Sequence, residues 1–175
     1  MNILFITSYP IEYNTSANTR NQGLICGLLK NGYQVSTLSP YPTNTAFYSG
    51  KLIELPFKKR YWIGSTDVVS DSGQKKSKPG RIKKVLESIY TSFAVYDRRS
   101  WLTRLIDCNS VDEDFDIIIS SSDPKSAHLI AEKLIKVRPS VCKKWIQYWG
   151  DPFTGDITIN STFNSLLIKR EEKRI

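Results

Sequence analysis

The 175-residue sequence has one histidine, three cysteines with no C-x-x-C pair, no apolar run longer than a few residues and no G-x-G-x-x-G. Cys26, Cys108 and Cys142 are odd in number and far apart, which argues against a disulfide framework or a zinc site and for free thiols, buried or partly buried, in a reducing compartment. The longest apolar runs, such as residues 4–6 and 117–119, fall far short of the roughly 20 residues that span a bilayer. No basic leader or small-residue cleavage site precedes NILFITS, so a secretory signal is not expected and the cytoplasm is the default compartment. Without the glycine fingerprint a dinucleotide-binding fold is disfavoured. His128 has no serine or cysteine at a motif spacing, and a structural or surface role is expected of it.

What the chain does have is positive charge, in one place. The formal net charge is +8. Residues 58–104 hold twelve Lys/Arg against four Asp/Glu, whereas residues 1–57 hold three against two and residues 105–175 ten against eleven. Such a segment attracts nucleic acid, anionic lipid headgroups or phosphorylated substrates, and charge does not choose among them. A solvated basic face is an equally good account.

The hydrophobic pattern reads as alternating strands and helices. NILFITS (2–8) is a short apolar strand, followed by a polar loop and by TRNQGLICGLLKN (19–31), where Leu24, Ile25, Leu28 and Leu29 recur at helical spacing and Asn31-Gly32 supplies a stop. QVSTL (34–38) is the next strand, which makes a βαβ unit with parallel strands and a right-handed crossover. KLIEL (51–55) is a candidate short strand. Residues 56–80 read as a mobile basic loop, and a helical pattern returns from 81 to about 106. After an acidic linker at 112–114, FDIIISS (115–121) is a buried parallel strand. Residues 124–137 are a helix with Pro124 at its first position and Ser122 or Asp123 as its cap. Residues 143–149 are a strand and residues 163–175 a helix. The expected class is α/β, a Rossmann-like three-layer domain with a mainly parallel sheet.

In such a sheet ligands bind outside the carboxyl ends of the strands. Three loops should converge there: residues 9–19, 120–123 and 150–156. The first leads into a helix N-terminus with Asn18, Thr19 and Arg20, suited to an anionic group, though a plain capped surface helix accounts for it equally. In the second, Ser120, Ser121, Ser122 and Asp123 can hydrogen-bond a sugar or phosphate, but capping is the simpler role. The third, in WIQYWGDPFTGD, places Asp151 directly after a buried strand, where a carboxylate can act as general base or hold a sugar hydroxyl. On composition alone an Asx-type turn is slightly preferred.

Taken together, NILFITSYP, TRNQGLICGLLKNGYQVSTLSP, DFDIIISSSDPKSAHLIAEKL and KKWIQYWGDPFTGD resemble the N-terminal domain of family 4 glycosyltransferases of the GT-B architecture. The resemblance covers nearly the whole chain. It is carried by Arg20 leading into an amphipathic helix closed by Asn31-Gly32-Tyr33, by the SSS-x-P turn at 120–124, and by GDPFT, which is similar to the family's R-D-P-W turn. Two departures stand out: NTSAN replaces the Gly-Gly pair of the first loop, and no two glutamates have the E-x7-E spacing of the family's donor motif.

The resemblance implies one half of a GT-B fold: residues 1–160 as a Rossmann-like acceptor-side domain, and residues 161–175 as a helix leading toward an absent donor-binding domain. It implies a retaining transferase that moves a sugar from a nucleotide-sugar to a polysaccharide or lipid-linked acceptor, with no metal or other cofactor, the chain alone being inactive. By position, Asp151 would be the active-site carboxylate, with Gly150 and Pro152 shaping its turn. Asn18, Thr19 and Arg20 would approach the donor, and Ser121, Ser122 and Asp123 would line the acceptor side. Residues 58–104 would draw the protein to the inner face of an anionic membrane as a peripheral protein, and no nucleic acid is expected as partner. The alternative is a non-catalytic Rossmann-like binding or interaction module.

Overall fold

The computed structural model describes residues 1–43, 46–64, 95–122, 125–150 and 162–174. The elements in order are β1 (Asn2–Ile6), α1 (Ser16–Lys30), β2 (Gln34–Pro40), β3 (Arg60–Ile63), a 3-10 turn (Arg98–Trp101) running into α2 (Leu102–Leu105), β4 (Phe115–Ser121), α3 (Ser126–Val137), β5 (Cys142–Tyr148) and α4 (Thr162–Arg174). The strands form one five-stranded sheet in the order β3-β2-β1-β4-β5. All four pairings are parallel.

Successive side chains of a strand point to opposite faces, so a strand covered on both sides must be apolar at every position. β1 is such a strand. Ile3 and Phe5 pack with Ile11, Ile25, Val35 and Ile119 on the face covered by α1. Leu4 and Ile6 pack with Leu38, Ile118, Ile130 and Leu134 on the face covered by α3 and by residues 102–111. Full burial of each such side chain stabilises the fold by about 1.5–3 kcal/mol. These two cores make the three layers of a Rossmann-like α/β domain.

α1 starts where Thr15, in extended backbone, accepts the Asn18 N–H on its hydroxyl, three residues before the stretch the periodicity marks as helical. It ends as Asn-Gly predicts. Gly32 takes φ +78°, its N–H donates to Leu29 O, and the Tyr33 N–H reaches back to Leu28 O. That paired closure needs a left-handed residue, which glycine adopts without strain.

The edge strand corrects the sequence reading. Residues 51–55 form no strand; Ile53 and Leu55 instead pack against the α1-side core. β3 falls inside the stretch expected to be loop, pairing from Thr37↔Arg60 to Pro40↔Ile63. Its four residues are too few to show alternation against a basic background, yet Tyr61 and Ile63 are buried. Residues 65–80, and the helical pattern from 81 to 94, lie outside the described residues. α4 docks on the α3 layer, with Arg174 paired to Glu132, Tyr96 Oη donating to Glu171, and Ile168 buried.

Candidate functional site at the carboxyl edge

β1 lies between β2 and β4, so the chain leaves it in opposite directions on its two sides, and the crevice of such a sheet opens at the carboxyl ends of β1 and β4. The register Ile6↔Ser120 sets the residues that follow each strand side by side.

The serine run shows how pleating distributes one tripeptide among three partners. Ser120 faces the α3 layer, where its Oγ accepts from Trp145 Nε1 at 2.8 Å and lies 2.7 Å from His128 Nδ1. Ser121 faces the opposite layer and donates to Asn21 Oδ1 of α1 at 2.6 Å. Ser122 stays in the sheet plane: its N–H donates to Tyr148 O at 2.8 Å and its Oγ accepts the Gly150 N–H at 2.8 Å. Ser121 and Ser122 therefore bind β4 to α1 and to the exit of β5.

Ser122 is not the cap of α3, as local sequence suggests. Asp97 takes that role from 29 residues upstream, accepting the Ser126 N–H and the Ser126 hydroxyl, each at 3.0 Å. The same carboxylate caps its own 3-10 turn through the Arg99 N–H at 2.8 Å. Asp123 lies outside the described residues.

In the first loop, Asn18 is buried and its side-chain amide donates to Pro10 O at 2.8 Å and Tyr13 O at 3.0 Å. It folds the loop and does not face solvent. Thr19 is exposed, its hydroxyl donating to Thr15 O at 3.1 Å. Arg20 reaches across to the third loop: a Cβ placed on Gly150 would come within 2.8 Å of Arg20 Nη2 and 3.1 Å of Cζ. A side chain at 150 would have to push the guanidinium aside. The structure thus brings Arg20, Ser121, Ser122 and Gly150 to one crevice, while Asp151 and Pro152 lie outside the described residues.

Two features here escaped the sequence reading. Glu12 is buried and pairs with Arg60, whose guanidinium lies 4.5 Å from the Trp62 ring and 5.2 Å from the Phe57 ring. Burial, and next the Glu12 carboxylate, push the Tyr48 phenol up. Arg99 lies 3.8 Å over the Tyr9 ring and donates to Ser8 O at 3.1 Å, so one cation of the basic segment holds the first loop. His128 has no accessible surface, which settles the structural-or-surface alternative in favour of the interior. Burial lowers it to about 4, so the ring is neutral at ordinary pH, and it packs 4.1 Å from the Trp149 ring.

The described start of the basic segment is not an open cationic patch. Lys58 pairs with Glu113 and Lys59 with Asp112, each at 2.6 Å. The cysteines are free, Cys108 buried and Cys26 and Cys142 half-buried, and burial raises the Cys108 and Cys142 thiols. Among the described residues no group of three or more His, Cys, Asp or Glu is placed to hold a metal ion. Nor is any helix among them long and apolar enough to cross a membrane.

No family model, no curated protein and no solved structure matches this chain.

Proposed function

We propose that this chain is the acceptor-side domain of a retaining, GT-B type glycosyltransferase of family 4, moving a sugar from a nucleotide-sugar to a polysaccharide or lipid-linked acceptor. The observation that carries the reading is the meeting of its three motif segments at one crevice: Arg20 of the first loop lies against Gly150 of GDPFT, whose N–H is held by Ser122 of the serine turn. Parallel topology brings these loops to one edge in any such sheet; what supports the reading is that the residues in contact there are those of the three motifs. In this reading Asp151, which follows Gly150 in the chain, is the carboxylate at the reacting centre and Arg20 supplies positive charge toward the donor. The donor's remaining contacts belong to a second domain carrying an E-x7-E motif, because an acceptor site alone cannot orient the donor's anomeric carbon. Paired lysines at 58 and 59 leave membrane attraction to the rest of residues 58–104, and a peripheral place at the cytoplasmic face of the membrane belongs to the same proposal.

One observation favours the second reading, a non-catalytic binding module. Asn18, Ser121 and Ser122 all spend polar groups on internal hydrogen bonds. Turnover separates the two. The full-length protein is assayed against a panel of nucleotide-sugars, and Asp151→Asn and Asp151→Ala are expected to abolish transfer while the fold is kept. Normal turnover in both variants would remove Asp151 from the reaction, and no turnover of any donor by the wild type would favour the binding module.

A further inference from the structure

His128 is held in one tautomer by a chain of donors. Trp145 Nε1 carries a hydrogen and no lone pair, so it must donate to Ser120 Oγ at 2.8 Å. Ser120 Oγ has a second lone pair that could accept from His128 Nδ1, 2.7 Å away, but its own hydroxyl hydrogen would then have no acceptor among the described residues, so the hydroxyl donates to the Nδ1 lone pair. A neutral imidazole with Nδ1 as acceptor carries its hydrogen on Nε2. This Nε2–H is buried and has no acceptor among the described residues. A buried donor without a partner is destabilising, and most native structures remove such groups.

The Trp149 ring does not repair the deficit. Its centroid is 4.1 Å from that of His128 with the planes tilted by 42°, and an N–H···π contact in such packing is a weak substitute for a hydrogen bond to oxygen. The indole N–H is itself engaged by Gln147 Oε1 at 3.1 Å. What remains beside the unpaired donor is a half-buried aromatic ring one residue before the Gly150 turn. An uncharged N–H next to an aromatic face matches a pyranose, whose C–H face lies on an indole while a hydroxyl oxygen accepts a hydrogen bond.

We propose that His128 Nε2–H is a binding-site donor to a hydroxyl oxygen of a bound sugar, which packs on Trp149 and shifts that ring from its resting place over the imidazole. The proposal rests on the acceptor-domain reading for the class of ligand and adds a residue that the sequence motifs do not mark. No bond is made or broken at His128; its part is to hold and orient.

The single histidine makes the test direct. In the full chain labelled with 15N-histidine, one pair of ring nitrogens is seen, and the unprotonated signal is expected at Nδ1. The protein is then titrated with the methyl glycosides of glucose, galactose, mannose and N-acetylglucosamine at millimolar concentrations. At least one is expected to move the Nε2–H resonance while leaving Nδ1 in place. His128→Gln, whose amide puts a donor near Nε2, should keep the affinity, whereas His128→Asn, which keeps only the acceptor toward Ser120, should lose about tenfold, the worth of one hydrogen bond. An Nε2–H resonance unmoved by all four glycosides, or equal loss in both variants, overturns the proposal; if either variant fails to fold, the wild-type titration decides alone. Donor turnover is measured separately. Glycoside binding without transfer keeps this donor and sinks the enzyme, and transfer with a silent Nε2–H does the reverse.

Discussion

At the amino edge of the sheet the polar groups are charged and wet, while at the carboxyl edge they are mostly neutral and buried. The amino edge is a row of ion pairs: Lys58–Glu113, Lys59–Asp112 and Lys143–Asp116 at 2.6 Å, and Arg138–Asp114 at 2.8 Å. Lys59 first, then the Tyr61 hydroxyl, hold the Asp112 carboxyl down to about 2. The Asn2 N–H adds a bond to Asp116 at 2.8 Å. At the carboxyl edge Ser120, Ser121, Ser122, Asn18, Asn21 and His128 are all buried, and among the described residues only Glu12, paired with the half-buried Arg60, brings a fully buried charge there. Water competes for each partner at the first edge and is excluded from the second. Any one contact of the amino edge can therefore be lost cheaply, whereas at the carboxyl edge a missing partner leaves a dry polar group exposed to nothing.

The sharpest break of this comparison is Glu12→Ala. It leaves the Arg60 guanidinium without its carboxylate, and removing one member of a buried pair costs about 3–5 kcal/mol. Urea unfolding should show that loss, and a cost below that of the surface pairs would mean that Arg60 finds water instead.

Next in size is the pH dependence set by His128. Its value in the fold, about 4, lies below the ordinary 6.5. Above pH 6.5 both folded and unfolded chains hold it neutral and it costs nothing. As pH falls from 6.5 toward 4, the unfolded chain takes up the proton first, so stability drops, by about 3 kcal/mol in all at 1.36 kcal/mol per pH unit of displacement. Unfolding free energies between pH 7 and 4 should lose this slope in His128→Asn. An unchanged slope would place the titration on other groups, of which Glu113, Glu132 and Glu171 are held low by their cations and begin to lose stability only as pH falls through the carboxylate range.

The smallest effects belong to the amino edge. Lys58→Ala, Lys59→Ala and Lys143→Ala should each cost roughly 0–1 kcal/mol, and less in high salt. A salt-insensitive loss above that range in thermal melts would show that the two edges are more alike than their burial suggests.

Much of the fold was legible because period and position carry it. The runs at 2–8, 34–38, 115–121 and 143–149 became β1, β2, β4 and β5 with shifts of a residue or two, but β5 is an edge strand with no fully buried residue, so the expected buried strand before Asp151 is not found. Asn31-Gly32 ended α1 as its chemistry demands. β3 was missed because four residues with two inward side chains make no periodic signal. The crevice was legible as three loops at one edge, but the duties of its residues were not. Asn18 became a brace for its own loop, Ser122 held Gly150 while Asp97 capped α3, and Glu12 was passed over.

By itself the sequence determined the class of this protein, a parallel α/β sheet with its loops for ligands at one edge, because burial follows hydrophobic spacing and spacing is local. Only the tertiary structure decided which polar groups that edge keeps for itself. Pleating sends Ser120 and Ser121 to opposite layers, a carboxylate 29 residues away caps α3, and Ser120 of the neighbouring strand engages His128 at Nδ1 while the buried Nε2 has no partner among the described residues. A hydrogen bond depends on distance in space, and the residues that make these bonds are near each other only once the sheet has formed.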